Sequence, residues 1–521
     1  MNRHKTISKL SSTKEWDLII IGGGASGLGV ALDAASRGLK TVLFEQFDFA
    51  KGTSSKSTKL VHGGVRYLAQ GNMQLVKTAL EERGLLAKNA RHLFRKQEFI
   101  IPNYQWWKGP YYAIGLKLYD FLSNKMSLGP SNWVDKKKVI DRLPTLKPKH
   151  LQSGISYFDG QFDDARLAIT LAQTAAEKGA LILNYMKIDD ILKDEKGNVI
   201  GVQVEDQESS QHYKVQSKTV VNAAGIFTDK IVKMYNPDHK KTVVPSQGIH
   251  LMLDRSFLNG DTAIMIPKTS DGRVLFVIPW HDKVIAGTTD TLIKKPSIEP
   301  KPLEEEVGFI LETLNKYLTK EVKRKDVLSV FSGLRPLAKP KKEDTTTKEV
   351  SRSHKIIINN NMVSVVGGKW TTYRKMAEDV VDEIIANFNF KEVPSATKAL
   401  SLHGNITEKE SVPENHLYIY GSEIANFKAF EDQHPELQDK IHPAYPYSKG
   451  QVIWSIRYEM ARTVEDFLAR RIRLLLLDAR AAIESAPVVA ELMADELQKP
   501  KEWEEEQIKQ FTAMANNYLL T

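Results

Sequence analysis

The chain has 521 residues, of which 42% are hydrophobic and 26% charged, so it can form several domains around a large core. It contains no cysteine, which excludes disulfides, cysteine nucleophiles, thiolate-held metals and flavin enzymes that use a redox-active cysteine pair. The net charge of +9 favours an anionic small molecule or an anionic membrane surface, and it also fits nucleic acid.

The absence of cysteine suits a reducing compartment, and we assign no metal site. No apolar run approaches the ~18 residues that span a bilayer. The N-terminus is basic and Ser-rich but lacks the apolar stretch of a secretory signal, so a frayed tail is the expected structure there. We therefore expect a cytoplasmic protein.

The first predicted unit is a βαβ motif. Residues 16–21 form an apolar run that predicts a buried parallel strand. Residues 25–37 predict a helix, and residues 41–44 predict a second strand that Glu45 closes. Between the first strand and the helix stands GGGASG, at residues 22–27.

This glycine-rich turn has the spacing of a dinucleotide-binding fingerprint. Gly22 permits the tight turn, Gly24 lets a pyrophosphate approach the backbone, and Gly27 lets the helix pack on the strand. Ala25 and Ser26 open the helix, whose first amides and dipole would meet the diphosphate. Glu45, the acidic residue at the end of the second strand, is at the position that accepts hydrogen bonds from the adenosine ribose hydroxyls in such folds.

The rest of the chain continues this mixed pattern. A small-residue loop at 52–59 precedes HGGVRY at 62–67. We predict helices at 74–90, 163–178 (with Asp163 as N-cap), 303–320 and 371–386, strands within 181–222, 243–290 and 362–366, and a helical tail at 453–519.

The fingerprint alone does not separate FAD from NAD. An NAD enzyme would usually continue with further βαβ units, whereas here the other dinucleotide-facing motifs are NAAG at 222–225 and GGKWTTYR at 367–374. A binding site formed by residues near the N-terminus and by residues near 370 indicates a long cofactor that extends across the whole domain.

Together these motifs resemble the FAD-dependent glycerol-3-phosphate dehydrogenases, within the glycine oxidase and D-amino-acid oxidase-like flavoproteins. The matching stretches are GGGASG through VHGGVRYL (22–68), FDDARL, VNAAG, FVIPW with GTTD, SGLRPL, GGKWTTYRKMAE and, in the tail, RYEMARTVEDFLARR. One departure is Ile226-Phe227, where the family often has Pro-Trp, and residues 401–450 match little.

The resemblance implies an FAD-binding Rossmann-like domain interleaved with an antiparallel-sheet substrate domain, plus a C-terminal helical domain. The FAD-binding domain would comprise 1–95, 150–242 and 345–394, the substrate domain 96–149 and 243–344, and the helical domain 395–521. FAD would oxidise sn-glycerol 3-phosphate to dihydroxyacetone phosphate and pass electrons to quinone. The protein would attach peripherally to the cytoplasmic face of the membrane. We expect no nucleic-acid partner. The oligomeric state is not determined by the sequence, and a homodimer is one possibility.

The substrate phosphate calls for cations, and arginine suits it because its fork pairs with two oxygens. Arg335, Arg66 and Lys369 are the candidates that the resemblance supports, with Arg352 as a further one and Tyr67 beside Arg66. Each could instead be a structural ion-pair residue.

The carbinol proton calls for a base, and His has an ordinary pKa of about 6.5. His62 adjoins Gly63-Gly64, where the backbone can approach the flavin. His250 lies in a strand-like run, where a lone histidine is usually part of the core. The residues do not decide which histidine takes the proton.

The residues expected to contact FAD come from all these motifs. They are Gly22, Gly24, Ala25, Ser26, Gly27, Glu45, Thr53, Ser54, Ser55, Lys59, Leu60, His62, Gly63, Gly64, Ala224, Gly225, Gly368, Lys369, Trp370 and Thr371.

Two segments could meet the membrane. Residues 103–122 combine Trp106, Trp107, Tyr111 and Tyr112 with lysines, a composition typical of a bilayer interface and equally of a substrate-domain core. A second basic surface is expected at 470–473 in the tail.

Three alternatives remain at this point. The protein could be a glycerol-phosphate oxidase that uses oxygen, an amine or amino-acid oxidase of the same fold, or a non-catalytic FAD-binding protein. The last would lose the Arg335, Lys369 and His62 set, and all three residues are present.

Overall fold

The computed structural model describes residues 1–64, 72–105, 108–123, 126–269, 272–339 and 354–520. The predictions for Arg66, Tyr67, Arg352, Trp106 and Trp107 lie outside these residues.

The described residues contain both helices and strands. The strands are β1 (Trp16–Ile21), β2 (Thr41–Phe44), β3 (Leu60–Val61), β4 (Phe94–Asn103), β5 (Asn132–Asp135), β6 (Ser153–Phe162), β7 (Leu181–Leu183), β8 (Met186–Lys193), β9 (Val199–Asp206), β10 (Gln211–Asn222), β11 (Val243–Asp254), β12 (Ala263–Ile266), β13 (Leu275–Trp280), β14 (Lys283–Gly287), β15 (Thr291–Leu292), β16 (Val327–Ala338), β17 (Lys355–Asn359) and β18 (Met362–Val366). The helices are α1 (Arg3–Ser12), α2 (Ala25–Ser36), α3 (Met73–Asn89), α4 (Lys108–Ser123), α5 (Lys136–Arg142), α6 (Asp164–Glu177), α7 (Thr228–Tyr235), α8 (Glu304–Tyr317), α9 (Tyr373–Asn387), α10 (Ile424–Gln433), α11 (Lys449–Glu459), α12 (Leu474–Leu477), α13 (Ala479–Leu497) and α14 (Lys501–Ala515).

The first sheet has the order β17-β18-β10-β1-β2-β7. Strands β18, β10, β1, β2 and β7 run parallel, while β17 is an antiparallel edge and the β8–β9 hairpin extends from the first half of β10. The apolar run of β1 is buried because helices and the hairpin cover both faces of the sheet. The predicted βαβ unit is confirmed.

Helix α2 packs between α6 and α9 on one face of this sheet. It can approach α9 closely because Gly29 faces Tyr373, where a Cβ would lie 3.2 Å from the ring. Helix α6 begins as predicted, since the Asp163 side chain accepts a hydrogen bond from the Arg166 amide at 3.1 Å.

The second sheet is mostly antiparallel, with the path β15-β11-β14-β13-β12-β4-β6-β3 and with β16 and β5 paired to β11 and β6. Alternate residues of β4 face opposite sides: Phe99 and Ile101 pack against α3 and α4, whereas Ile100 packs toward α5 and α8. The mixed fold class is confirmed. The domain boundaries stay a prediction, and β3 and β6 join this second sheet although they lie in segments that we assigned to the FAD-binding domain.

The C-terminal residues form the helices α10 to α14, joined to the core of the first sheet through one continuous apolar cluster. Between α11 and α12, residues Asp466–Arg471 form a π-helical segment. The expected basic surface at 470–473 is wrong, because Arg470, Arg471 and Arg473 are at most 2% exposed and pair with buried carboxylates. Within the described ranges, no helix combines the length and the apolarity that crossing a bilayer requires.

Candidate active site

The glycine-rich turn between β1 and α2 has no room for side chains. Gly22 has a φ of +109°, and a Cβ there would lie 2.7 Å from the Ala223 carbonyl oxygen. A Cβ on Gly27 would lie 1.9 Å from the Gly22 oxygen, so Gly27 serves the packing of α2 against the turn. Helix α2 therefore starts at Ala25 with its first amides directed at the turn, the arrangement that binds a diphosphate.

Glu45 stands at the end of β2 beside this turn. Its carboxylate accepts hydrogen bonds from the Gly23 amide at 2.6 Å and from the Phe47 amide at 2.9 Å. Burial raises the pKa of the Glu45 carboxyl, and the two amide contacts oppose that shift. These bonds hold the carboxylate beside the glycine-rich turn, and an acidic residue at this position is typical of sites that bind an adenosine ribose.

One cavity of about 880 Å³ begins at this turn and extends to the second sheet. That volume is at the upper end of the range for ligand sites. Of the residues predicted to contact FAD, those that line the cavity are Gly22, Gly24, Ala25, Ser26, Glu45, Thr53, Ser54, Leu60, His62, Gly64, Ala224, Gly225, Gly368, Lys369, Trp370 and Thr371. Amides for a diphosphate, an acid for a ribose and a long cleft between two sheets fit a dinucleotide such as FAD.

The far part of the cavity is bounded by the turn after β18. Gly367 and Gly368 have φ values of +81° and +93°, and Lys369 follows them along the cavity wall. The Trp370 indole donates to the Ser54 carbonyl at 2.8 Å, and the Thr371 hydroxyl accepts from the His62 amide at 3.3 Å. These bonds join segments that lie about 300 residues apart.

Arg335, on β16, lines the same cavity. Its Nη2 donates to Thr288 Oγ1 at 3.0 Å and to the Thr289 carbonyl at 3.1 Å, and its Nη1 lies 3.4 Å from an Asp290 carboxylate oxygen. A Cβ on Gly248, in the neighbouring strand, would lie 2.3 Å from Nη2, so the glycine makes room for the guanidinium.

His250, on β11, also lines the cavity but is only 2% exposed. Its Nε2 lies 2.9 Å from the Thr58 hydroxyl, and its ring stacks on Phe331 with centroids 4.9 Å apart. Burial, and after it the positive charges of Lys59 and Arg335, hold the pKa of His250 well below its ordinary value. The ring is therefore neutral at physiological pH.

Four residues predicted to contact the cofactor do not line the cavity: Gly27, Ser55, Lys59 and Gly63. The prediction for the Lys59 side chain is corrected, because its buried ammonium donates to Asp164 and to the Ser55 carbonyl, each at 2.7 Å. Burial lowers the pKa of the Lys59 ammonium to about 7, and Asp164 opposes that shift.

The sequence reasoning missed Arg273, a further cation on the cavity wall. It stands just before β13, next to the quoted FVIPW motif, and that position is the only signal that could have found it. Lys51 and Lys56 were missed as lining residues too, although they flank or lie within the predicted small-residue loop.

Comparisons with known proteins agree with this geometry. Residues 17–374 match the family described as FAD dependent oxidoreductase, and residues 361–508 match the C-terminal domain of alpha-glycerophosphate oxidase. A probable mitochondrial glycerol-3-phosphate dehydrogenase of Caenorhabditis elegans is 39% identical over 95% of this chain and 72% of its own length. The mitochondrial glycerol-3-phosphate dehydrogenase of Saccharomyces cerevisiae is 35% identical, with 98% of this chain and 91% of the yeast protein covered.

A solved structure extends the similarity to the fold. The glycerol-3-phosphate dehydrogenase from Bacillus halodurans, complexed with FAD, has a TM-score of 0.81 and 29% identity, with 99% of this chain and 98% of that one covered. FAD as the cofactor is thereby confirmed. The first match covers nearly all residues of both sheets, and the second covers most of the C-terminal helices. The chain belongs to the family of FAD-dependent glycerol-3-phosphate dehydrogenases.

Proposed function

We propose that the protein oxidises sn-glycerol 3-phosphate to dihydroxyacetone phosphate and that the electrons pass on to membrane quinone. The observation that carries this proposal is a shared cavity: Arg335, Lys369, His62 and His250 line the same cleft as the dinucleotide fingerprint. Bound FAD supplies the acceptor for the hydride that leaves the carbinol carbon.

Arg335 and Lys369 would bind the phosphate. The acceptors Thr288 Oγ1 and the Thr289 carbonyl hold one edge of the Arg335 guanidinium in a defined orientation. A guanidinium oriented in this way suits a phosphoester better than a point charge does. Arg66, Tyr67 and Arg352 stay proposed substrate contacts on the strength of the resemblance alone.

Of the two histidines, we favour His62 as the proton acceptor. His250 is a weak base in its buried place, because burial and nearby cations disfavour its charged form. His62 is less buried and its backbone is held at the Thr371 hydroxyl, beside the turn that carries Lys369. His250 would then orient the substrate through its neutral ring.

Quinone as the acceptor implies contact with a membrane, and helix α4 supports that part of the proposal. Ile114 and Phe121 on this helix are 72% and 79% exposed, and Leu118 between them is 39% exposed. The neighbouring Lys117 side chain is 63% exposed, a combination that suits an anionic bilayer surface. The chain also has a net charge of +9, which favours an anionic lipid surface. We propose that the protein attaches peripherally to the cytoplasmic face of the membrane.

Anaerobic reduction of the purified holoprotein tests the proposal. Glycerol 3-phosphate should bleach the flavin absorbance, while glycerol at the same concentration should not. Equal bleaching by both alcohols would refute the phosphate site, and bleaching by amino acids instead would indicate an amine or amino-acid oxidase. Peroxide formed in step with substrate oxidation under air would identify oxygen, and not quinone, as the acceptor.

A further inference from the structure

One wall of the FAD cavity is the segment 47–59, here called the cofactor loop. Its only regular structure is a single 3-10 turn at Thr53–Ser55. Its inner side meets the fingerprint, since Ser54 Oγ accepts from the Ala25 amide at 3.0 Å at the first residue of α2. The position of the cofactor loop therefore affects the orientation of the amides at the start of α2. Because the loop has little regular structure of its own, its position depends on contacts with residues outside it.

Arg473, in the C-terminal helical domain, holds the middle of the loop. Its Nη2 donates to the Ser55 carbonyl and to an Asp164 carboxylate oxygen, both at 2.8 Å, and its Nη1 donates to the Ala469 carbonyl at 2.9 Å. Lys59 donates to the same Ser55 carbonyl and to the other Asp164 oxygen. Arg473 is 1% exposed, so all these bonds are shielded from water.

The same C-terminal segment holds the start of the loop. Glu465 pairs with Lys51, which lines the cavity, at 2.5 Å, and its other oxygen accepts from Arg470 at 2.6 Å. The buried carboxylate of Asp48 is bound by Arg470 at 2.6 Å and by Arg471 at 2.7 Å. The loop is thus anchored at three points by residues 465–473.

Buried ion pairs are costly to break, because the partner that remains is an uncompensated charge. Apart from the Glu465–Arg470 pair, each of these ion pairs of segment 465–473 joins it to a residue more than 300 positions earlier in the chain. The buried charges on both sides therefore gain their partners only when the two parts of the chain come together. We propose that segment 465–473 is the element that positions the cofactor loop, with Arg473 and Glu465 as positioning residues for FAD binding. The inference concerns the cofactor alone and holds whatever the substrate is.

The test compares FAD binding and thermal stability in five proteins: wild type, Arg473→Met, Arg473→Lys, Glu465→Gln and the control Arg166→Met. Arg166 makes a buried bidentate pair with Glu459, at 2.6 and 2.7 Å, that joins the same two parts of the chain without a hydrogen bond to the cofactor loop. Glu459 also lies 3.5 Å from Arg471, so this control tests whether the loss of a neighbouring buried pair is enough to weaken FAD binding. The dissociation constant of FAD is measured by quenching of FAD fluorescence on adding back the cofactor to apoprotein. Melting temperatures are recorded for apo and holo forms.

We expect Arg473→Met to weaken FAD binding by about tenfold or more, the scale of one charge-assisted contact. Glu465→Gln should weaken it by about threefold, because the amide oxygen that remains can still accept one hydrogen bond and only the charge is lost. In both variants the gap between holo and apo melting temperatures should shrink. Arg166→Met should lower both melting temperatures together and leave the dissociation constant within about twofold of wild type. An Arg473→Lys variant should recover part of the affinity, since it keeps the charge near Asp164.

If Arg473→Met does not fold, Glu465→Gln decides the question. Wild-type FAD affinity in Glu465→Gln, and in Arg473→Met where it folds, would overturn the proposal. Loss of affinity in Arg166→Met, in proportion to its loss of stability, would overturn it too. Because none of these readouts uses glycerol 3-phosphate, failure here is distinct from failure of the proposed reaction.

Discussion

Replacing Arg335 with Gln removes the cation that we propose binds the substrate phosphate. In the structure its guanidinium lines the cavity and is oriented by Thr288 and the Thr289 carbonyl, so the loss should fall on the substrate and not on FAD. A charge-assisted hydrogen bond contributes about 1.5–3 kcal/mol, which corresponds to a rise in KM for glycerol 3-phosphate of about 10- to 150-fold. Steady-state kinetics with a dye acceptor measure that rise, and the flavin spectrum measures FAD content.

Two comparisons make this prediction specific. Arg335→Lys keeps the charge without the fork and should fall between wild type and Arg335→Gln. Arg324→Gln removes an arginine that is 40% exposed and pairs with Glu304, and should leave KM unchanged. When glycerol, which has no phosphate, is supplied at a far higher concentration than glycerol 3-phosphate, any rate of its oxidation should be nearly the same in Arg335→Gln as in wild type. An equal loss for both substrates, or loss of flavin, would refute the phosphate-binding role.

Other predictions follow from packing, titration and surface chemistry. Gly22→Ala should abolish FAD binding in fluorescence titrations, because the new Cβ would lie 2.7 Å from the Ala223 carbonyl oxygen at a φ of +109°; near-normal affinity would contradict the tight turn. Burial and two neighbouring cations hold the pKa of His250 well below its ordinary value, so below about pH 6.5 the unfolded chain takes up a proton that the folded chain does not. The free energy of unfolding should therefore fall as pH drops from about 7 to 5.5, and the melting temperature of His250→Gln should fall less than that of wild type over that range. If the two melting temperatures depend on pH in the same way, the pKa of His250 is not depressed. Ile114→Ser combined with Phe121→Ser should reduce cosedimentation with anionic vesicles several-fold while leaving dye-linked activity intact, since both side chains are more than 70% exposed; unchanged sedimentation would remove α4 from the membrane contact.

Much of the architecture could be read from local patterns. The apolar run of β1, the glycine spacing and the acid after β2 lie within 30 residues, and their geometry depends on bonds that such neighbours make with one another. The Asp163 cap of α6 is local in the same sense. The resemblance then supplied the cofactor, which the comparisons confirm.

Only the tertiary structure shows which charged residues are exposed and which are buried in ion pairs. Arg470, Arg471 and Arg473 read as a basic surface because a sequence pattern does not contain their partners, which lie more than 300 residues away in Asp48 and Asp164. Lys59 was assigned to the cofactor because it stands in the loop that resembles the family's motif, whereas its ammonium is bound by Asp164, 105 residues further along the chain.

The sequence alone therefore determined which segments form the dinucleotide site, because helices, strands and glycine turns arise from contacts between near neighbours. It could not determine which cations face the cavity and which are buried in ion pairs. That choice depends on the approach of distant segments, where the cost of burying a charge is met by a partner that only the folded chain brings within reach.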